Sequence, residues 1–462
     1  MINRTLKYVI ERQSPLNQYV FDFIFSVLGI KGEICNNSSQ NIDIYYGSNP
    51  SSTDNISIII KEANQDVICS EIIESKLKLE HVGKVVDFDI INAISKLITD
   101  EVNSNISDKA YDEHDRLLFN YSFQSNNHIG KIPLVNLYVN FLIELIEHKC
   151  HVNRVPLWPK GKTCAIGLSH DVDNPDKYSI IRSPLFLKSR SINWHIINIL
   201  TKTKHGLKYL VDKEKNNFWL FNKVMDLEEK HGFKSTFFFA SMNAFSEYGS
   251  TLDVKYDIEH NKFQIIFDEI LKRNFEIGLH ASYLAFKSAD RFKYEKRKLE
   301  EILKMKVTGL RHHYWHMGRD QQRTLKYHES AGFEYDSSIA FNEHMGFRYN
   351  IALPYYPWNE EANSKLNVLQ LPVFCMDGNL FYQPIEVDIA FEKLKQFVHI
   401  IKQFGGIGVI DWHVRTSLPV NSEFMKWGDC YVRLIEYLSN DSEIWVNSLG
   451  NISDWLRNRR DK

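Results

Sequence analysis

Apolar residues along the first 150 positions fall into two alternating patterns. Residues 18–28 and 133–148 carry apolar side chains every three or four positions, which predicts amphipathic helices. The runs at 42–46 and 56–60 are short and rich in isoleucine and tyrosine, and an Asn/Ser/Pro-rich turn separates them, so they predict β-strands. We therefore expect a small α/β accessory domain over residues 1–158.

A different, longer alternation follows a linker that contains Pro156, Pro159 and Gly161. Short apolar runs predict strands at 164–168, 235–239, 275–279, 307–310, 333–336 and 406–410. Helical patterns lie between most of these runs, at 219–230, 263–273, 293–305, 321–331 and 391–404. This alternation over residues 159–462 predicts a parallel α/β architecture of barrel type. Residues 179–217 are rich in Lys, Ile and Asn and break the alternation, so we predict a helical insertion there.

The composition of the 462-residue chain narrows the class of protein. Its 56 Lys and Arg nearly balance 58 Asp and Glu, and the absence of a basic block argues against nucleic acid as a partner. Six scattered cysteines without a CxxC pair fit buried reduced thiols rather than disulfides or a Cys-based zinc site. The first residues lack the apolar stretch of a secretory signal, and the segment 19–30 is shorter than the ~20 residues of a membrane span. These features predict a cytoplasmic protein without a transmembrane segment.

Polar side chains follow five of the predicted strands. The strand ends carry Ser169-His170-Asp171-Val172-Asp173, His280-Ala281-Ser282-Tyr283, Arg311-His312-His313-Tyr314-Trp315-His316, Asp336-Ser337-Ser338 and Asp411-Trp412-His413. Because the carboxyl ends of parallel strands converge at one edge of the sheet, we expect these side chains to share one cavity.

Such a set supports metal-assisted hydrolysis. One carboxylate and two neutral imidazoles can hold Zn²⁺ or a similar divalent ion and leave a position open for water. A second carboxylate can then act as general base and a further histidine as general acid. The spacing of Asp171 and Asp173 suits this division, since two carboxylates so close ionise together only when a cation neutralises one of them.

These motifs resemble those of the polysaccharide deacetylases of carbohydrate esterase family four, in a bacterial branch with an N-terminal accessory domain. The resemblance covers residues ~161–450, the span of the strand–helix alternation. It implies a distorted (β/α) barrel and removal of acetyl groups from an N-acetylated sugar or glycan with a divalent metal. By the same resemblance Asp171 is the base, Arg311 orients it, His413 is the general acid, and Asp173 and His280 are metal ligands.

The sequence departs from the family pattern at one ligand. The common pattern has a second histidine four residues after the first, where this chain has Leu284, which cannot bind a metal. In the branch named above, the third ligand is the histidine of the Arg-x-His-Tyr motif, here His313, with His312 and His316 as rivals. The lost ligand also supports an alternative, a catalytically inactive sugar-binding or assembly protein on the same fold, and hydrolysis of a non-sugar amide is a third option.

For each of the remaining site residues, a structural role is the alternative to a functional one. Asp336 and Asp411 are candidates to orient His413, and helix capping is the other role open to them. Asp336 is also a candidate to bind the substrate. Tyr314 and Trp412 are candidates to line a sugar site, and packing in the core explains them nearly as well. Asp171 and Asp173 could exchange roles. For His170 a structural role is favoured.

Overall fold

The computed structural model describes residues 4–36, 41–50, 53–63, 83–176 and 218–459. The predicted insertion at 179–217 lies outside these residues. Within the described part of the chain, no helix is both long and apolar enough to cross a bilayer. The five cysteines in this part are free thiols, and four of them are buried.

The N-terminal unit contains a five-stranded parallel sheet with strand order β2-β1-β3-β4-β5. Its strands are β1 (Leu6–Ile10), β2 (Gly32–Ile34), β3 (Ile42–Tyr46), β4 (Ile56–Ile60) and β5 (Val85–Val86). Its helices are α1 (Pro15–Leu28), α2 (Ile90–Ile98), α3 (Phe123–Asn126) and α4 (Leu134–Cys150). Helix α1 begins with a Ser14 cap and Pro15 in its first turn, and it ends at Gly29, whose φ of +76° suits a residue without Cβ. The predicted small α/β fold is confirmed, and strands β1, β2 and β5 are additional to the two strands predicted for it.

The second part of the chain is a parallel sheet surrounded by helices. Its strands are β6 (Cys164–Asp171), β7 (Thr236–Phe239), β8 (Glu276–Ala281), β9 (Gly309–His312), β10 (Tyr335–Asp336), β13 (Leu369–Gln370), β14 (Val373–Met376), β15 (Ile407–Asp411) and β16 (Ile444–Asn447). A small antiparallel pair, β11 (Trp358–Asn359) and β12 (Ser364–Lys365), lies outside this sheet. The helices are α5 (Phe221–Lys230), α6 (Asn261–Lys272), α7 (Ala289–Leu303), α8 (Gln321–Ser330), α9 (Asp377–Leu380), α10 (Val387–Gln403), α11 (Met425–Ser439) and α12 (Leu449–Asn458).

The larger sheet curls into a distorted barrel. Its strand order is β13-β10-β9-β8-β7-β6-β15-β14, with β16 beside the first half of β6. The two ends of this order, β13 and β14, are consecutive pieces of one segment, separated only by Leu371 and Pro372. Because β13 pairs with β10 while β14 pairs with β15, that segment joins the two edges of the sheet. The predicted distorted (β/α) barrel preceded by a smaller α/β domain is confirmed.

The two parts share apolar packing. The core under the N-terminal sheet, which includes Tyr138 and Val139 of α4, continues into Ile351, Leu353 and Tyr355 of the barrel part. A buried hydrogen bond crosses the same boundary, from the Ala352 N–H to Asn136 Oδ1 at 2.8 Å. The N-terminal unit is therefore packed against the barrel through a continuous core.

Candidate metal centre and active site

The carboxyl ends of β6, β8, β9 and β15 converge on a cavity of about 400 Å³. Its lining includes five of the residues that the sequence singled out for chemistry: Asp171, Asp173, His280, His313 and His413. Each comes from the end of a strand or the turn after it, so the parallel topology brings together residues more than 200 positions apart.

Asp173, His280 and His313 form a candidate metal centre. His280 Nε2 lies 3.2 Å and His313 Nε2 3.5 Å from Asp173 Oδ1, and one ligand atom from each residue lies within 4.8 Å of the others. His280 and His313 are buried, and Asp173 is partly buried. A carboxylate with two imidazoles is a common donor set for a catalytic divalent ion.

The hydrogen bonding of His280 shows that these residues fit a cation. Its Nδ1 lies 3.2 Å from the Arg311 carbonyl oxygen, which can only accept, so Nδ1 carries the proton. In a neutral imidazole the lone pair is then on Nε2, which faces a carboxylate oxygen of Asp173. Two acceptors in contact require a cation between them, either a proton or a metal ion.

A second carboxylate lies behind His313, at ion-pair rather than hydrogen-bond distance. Asp253 Oδ1 lies 3.6 Å from His313 Nδ1, and backbone N–H groups of Tyr283 and Ser250 each donate to Asp253 at 2.7 Å. Burial raises the pKa of Asp253, but its contacts with His313 and these N–H groups outweigh burial and lower it. Asp253 lies in a loop without a periodic pattern, so no sequence pattern predicts its role.

The predicted base, Asp171, shares a guanidinium with Asp411. Arg311 Nη1 lies 3.0 Å from Asp171 Oδ1 and 3.1 Å from Asp411 Oδ1, and the whole arginine side chain is buried. Burial raises the pKa of Asp171, and Arg311 lowers it only in part. Burial and the charge of Asp171 raise the pKa of Asp411 to about 7 against the effect of Arg311. Two carboxyl groups with one cation can hold a single extra proton between them.

The predicted acid, His413, lies between two carboxylates. Its Nδ1 donates to Asp377 Oδ1 at 2.9 Å, and its Nε2 lies 2.9 Å from Asp173 Oδ2. Asp377 also accepts the His413 backbone N–H and the Thr416 hydroxyl. Burial lowers the pKa of His413, but the charges of Asp377 and Asp173 outweigh it and raise the pKa well above its ordinary value. His413 therefore carries a proton on Nε2, on the side of the cavity.

Two expected roles need correction, those of Asp411 and Asp336. Asp411 pairs with Arg311, and Asp377 is the carboxylate that orients His413. Asp336 is fully buried and accepts from the Ser338 hydroxyl, away from the cavity lining. Trp412 is fully buried against Tyr431 at 5.3 Å between ring centroids, so it packs in the core, the alternative considered for it. Tyr314, in contrast, is 39% exposed and lines the cavity.

The neighbouring histidines are engaged elsewhere. His312 pairs with His328 at 2.8 Å in the core, and His316 Nδ1 donates to the Tyr283 carbonyl. His170 Nε2 lies 2.8 Å from the buried Glu228, which fits the structural role favoured for it. Of the three candidates at 312, 313 and 316, His313 faces Asp173.

The turn after His313 has an unusual backbone. Tyr314 and Trp315 both adopt left-handed conformations, with φ of +59° and +51°. For a residue with a Cβ this costs roughly 1–2 kcal/mol. The Tyr314 carbonyl accepts a 2.8 Å hydrogen bond from Arg116 of the N-terminal unit, another cavity residue without a sequence signal.

Comparison with known sequences finds no match of known function. The model of a family of unknown function, DUF7033, matches residues 6–151. No curated protein matches the chain.

Comparison with solved structures finds deacetylase folds at low similarity. A Mycobacterium smegmatis protein assigned as a polysaccharide deacetylase shares 17% identity over 66% of this chain and 93% of its own, with a TM-score of 0.43. A Pseudomonas aeruginosa protein with the same assignment shares 14% identity over 66% of this chain and 94% of its own, also with a TM-score of 0.43. A Bacillus anthracis family-four pseudoenzyme shares 12% identity over 64% of this chain and 67% of its own, with a TM-score of 0.32. These values are too low to carry an argument about activity.

Proposed function

We propose that the protein is a metal-dependent hydrolase that removes N-acetyl groups from a sugar in a polysaccharide or glycan precursor. The observation that carries this proposal is the arrangement around Asp173. Two imidazoles face one of its oxygens, a protonated His413 faces the other, and the buried Asp171–Arg311 pair lies beside them. This set contains a ligand group, a base and an acid in one cavity.

Asp173, His280 and His313 would hold the ion. A divalent ion bound there, zinc being the one that suits this donor set, polarises the acetyl carbonyl and makes water more acidic. The protein supplies the fixed direction of each ligand, through the Arg311 carbonyl behind His280 and Asp253 behind His313.

Asp171 and His413 handle the protons. Asp171 accepts the proton of the attacking water, and Arg311 holds the carboxylate in place at 3.0 Å. His413 donates its Nε2 proton to the departing amine, and Asp377 stabilises the imidazolium during the reaction. Tyr314, exposed on the cavity wall, offers an aromatic face to the sugar ring.

The test compares metal content and acetate release in three proteins. We expect about one divalent ion per wild-type chain, a loss of the ion in Asp173→Asn, and normal metal content without turnover in His413→Gln. Acetate release from N-acetylated oligosaccharides that persists in His413→Gln would contradict the acid assignment. A wild-type chain that binds no metal would contradict the proposal itself.

A second candidate function rests on Leu284, which replaces a ligand of the common pattern. A protein that binds an N-acetylated glycan but carries no metal and releases no acetate would be a sugar-binding or assembly protein. The same metal analysis, combined with a glycan-binding measurement, separates the two functions.

A further inference from the structure

The N-terminal unit reaches the mouth of the barrel through residues 108–121, here called the mouth segment. Asp115 pairs with Arg319 at 2.7 Å, His114 Nδ1 lies 2.9 Å from the Tyr283 hydroxyl, and the Phe119 ring stacks on His344 at 3.6 Å between centroids. These contacts place the mouth segment directly beside the candidate metal centre.

Arg116 is the residue of this segment that enters the cavity lining. Its Nε pairs with Asp112 at 2.8 Å within the mouth segment, which fixes the direction of the guanidinium. Its Nη1 donates to the Tyr314 carbonyl at 2.8 Å and to Asn342 Oδ1 at 2.9 Å. The Arg116 side chain is only 13% exposed. Its hydrogen bond to Asn342 is partly buried, whereas the one to the Tyr314 carbonyl lies at the surface of the cavity.

The Tyr314 carbonyl belongs to the strained turn at Tyr314 and Trp315. Left-handed backbone at two consecutive residues with side chains persists only where the surroundings hold it in place. Arg116 holds the carbonyl, and the His114 ring lies 4.7 Å from the Tyr314 ring. The residue immediately before this turn is His313, the ligand that replaces the missing histidine at position 284.

From this arrangement we infer that Arg116 is a positioning residue of the metal centre, which acts through the Tyr314–Trp315 turn to fix the direction of His313. The N-terminal unit thereby becomes part of the active site. This inference rests on the proposed function, because it assumes that His313 binds a metal ion.

The test measures Co²⁺ binding by metal-free protein in competition with a chromophoric chelator, together with the visible absorption spectrum of the Co²⁺ protein. Arg116→Gln removes the donor to Tyr314, and Arg116→Lys keeps a charged donor that can still reach one acceptor. Arg319→Gln is the matched control, because Arg319 also ties the mouth segment to the barrel, at Asp115 and over the Tyr111 ring, but lies outside the cavity lining.

We expect Arg116→Gln to weaken Co²⁺ binding roughly tenfold or more, as loss of an outer partner of a ligand does. Its spectrum should change in position or intensity, Arg116→Lys should give an intermediate affinity, and Arg319→Gln should match wild type. If Arg116→Gln fails to fold, the Co²⁺ affinities and spectra of Arg116→Lys and Arg319→Gln still test the inference.

Two results would overturn the inference while the proposed function stands. One is wild-type Co²⁺ affinity and spectrum in both Arg116 variants, with only a lowered thermal midpoint. The other is equal weakening in Arg319→Gln, which would show that docking of the mouth segment alone matters. A wild-type protein that binds no Co²⁺ would overturn the proposed function and this inference together.

Discussion

His413 and Asp377 are joined by a 2.9 Å hydrogen bond from Nδ1 to Oδ1, and Asp377 accepts the His413 backbone N–H as well. Asp377 is fully buried at the start of α9, directly after β14, so it comes from a different element than the histidine it holds. The contact with Asp377 fixes the orientation of the His413 ring and stabilises its protonated form.

Asp377→Asn should therefore lower turnover without removing the metal. The amide keeps the approximate shape but loses the charge that stabilises the imidazolium, so we expect kcat for acetate release to fall about 10²-fold or more. Metal content measured on the same preparation should remain at the wild-type level. Asp388→Asn, an exposed carboxylate on α10, is the control and should be neutral. Wild-type kcat in Asp377→Asn would show that His413 needs no orienting partner.

Asp253 gives a separate prediction about the metal. Asp253→Asn removes the charge behind His313 while leaving an oxygen for the Tyr283 N–H. We expect the zinc dissociation constant to rise by about 10- to 100-fold, because outer carboxylates strengthen and orient histidine ligands. Chelator competition measures this directly. Asp257→Asn, an exposed carboxylate four positions away, should bind zinc like wild type; equal constants in all three proteins would contradict the role of Asp253.

The sequence predicted the residues that follow strands and missed the residues that support them. Asp173, His280 and His413 could be placed because apolar runs mark the strands and a parallel topology dictates where their ends meet. Asp253 lies in a loop without a periodic pattern, and Asp377 follows β14, a four-residue strand that is not among the predicted ones. Their role depends on tertiary packing, which spacing along one chain does not encode.

The same limit explains the error at Asp411. Its place at the end of β15, two residues before His413, suggested a partner for that histidine. In the barrel the Asp411 side chain meets Arg311 of β9, with Asp171 of β6 on the other side of the guanidinium. Contact across the barrel interior, between strands distant in sequence, decided the pairing.

Arg311 is the buried cation between the carboxyl groups of Asp171 and Asp411, so its removal should have a large effect on stability. Arg311→Met leaves Asp171 and Asp411 buried without their cation, so we expect the free energy of unfolding to fall by about 3–5 kcal/mol near pH 7. Denaturant titration measures the change. Adding Asp411→Asn to Arg311→Met should restore part of the loss, because the second acidic group, whose burial costs free energy as a charge or as a protonated acid, is then removed. A double variant no more stable than Arg311→Met would show that the pair is not the source of the effect.

The His312–His328 pair predicts how stability depends on pH. His312 Nδ1 donates to the His316 carbonyl at 3.0 Å, so its Nε2 must accept the hydrogen from His328 Nε2, and both rings are neutral in the core. Burial lowers the pKa of His328 to about 3 from its ordinary value of 6.5.

Since the unfolded chain binds this proton more readily than the folded chain, the contribution of His328 to stability is complete above pH 6.5. It falls as the pH decreases from 6.5 towards 3. By pH 5.5 the loss from this one group is about 1.4 kcal/mol. His328→Gln keeps an N–H that can reach His312 but does not titrate. Urea unfolding at pH 7.5 and 5.5 should therefore show a smaller loss of unfolding free energy in His328→Gln than in wild type, by about that amount. Equal losses in the two proteins would mean that His328 is not the buried neutral group responsible.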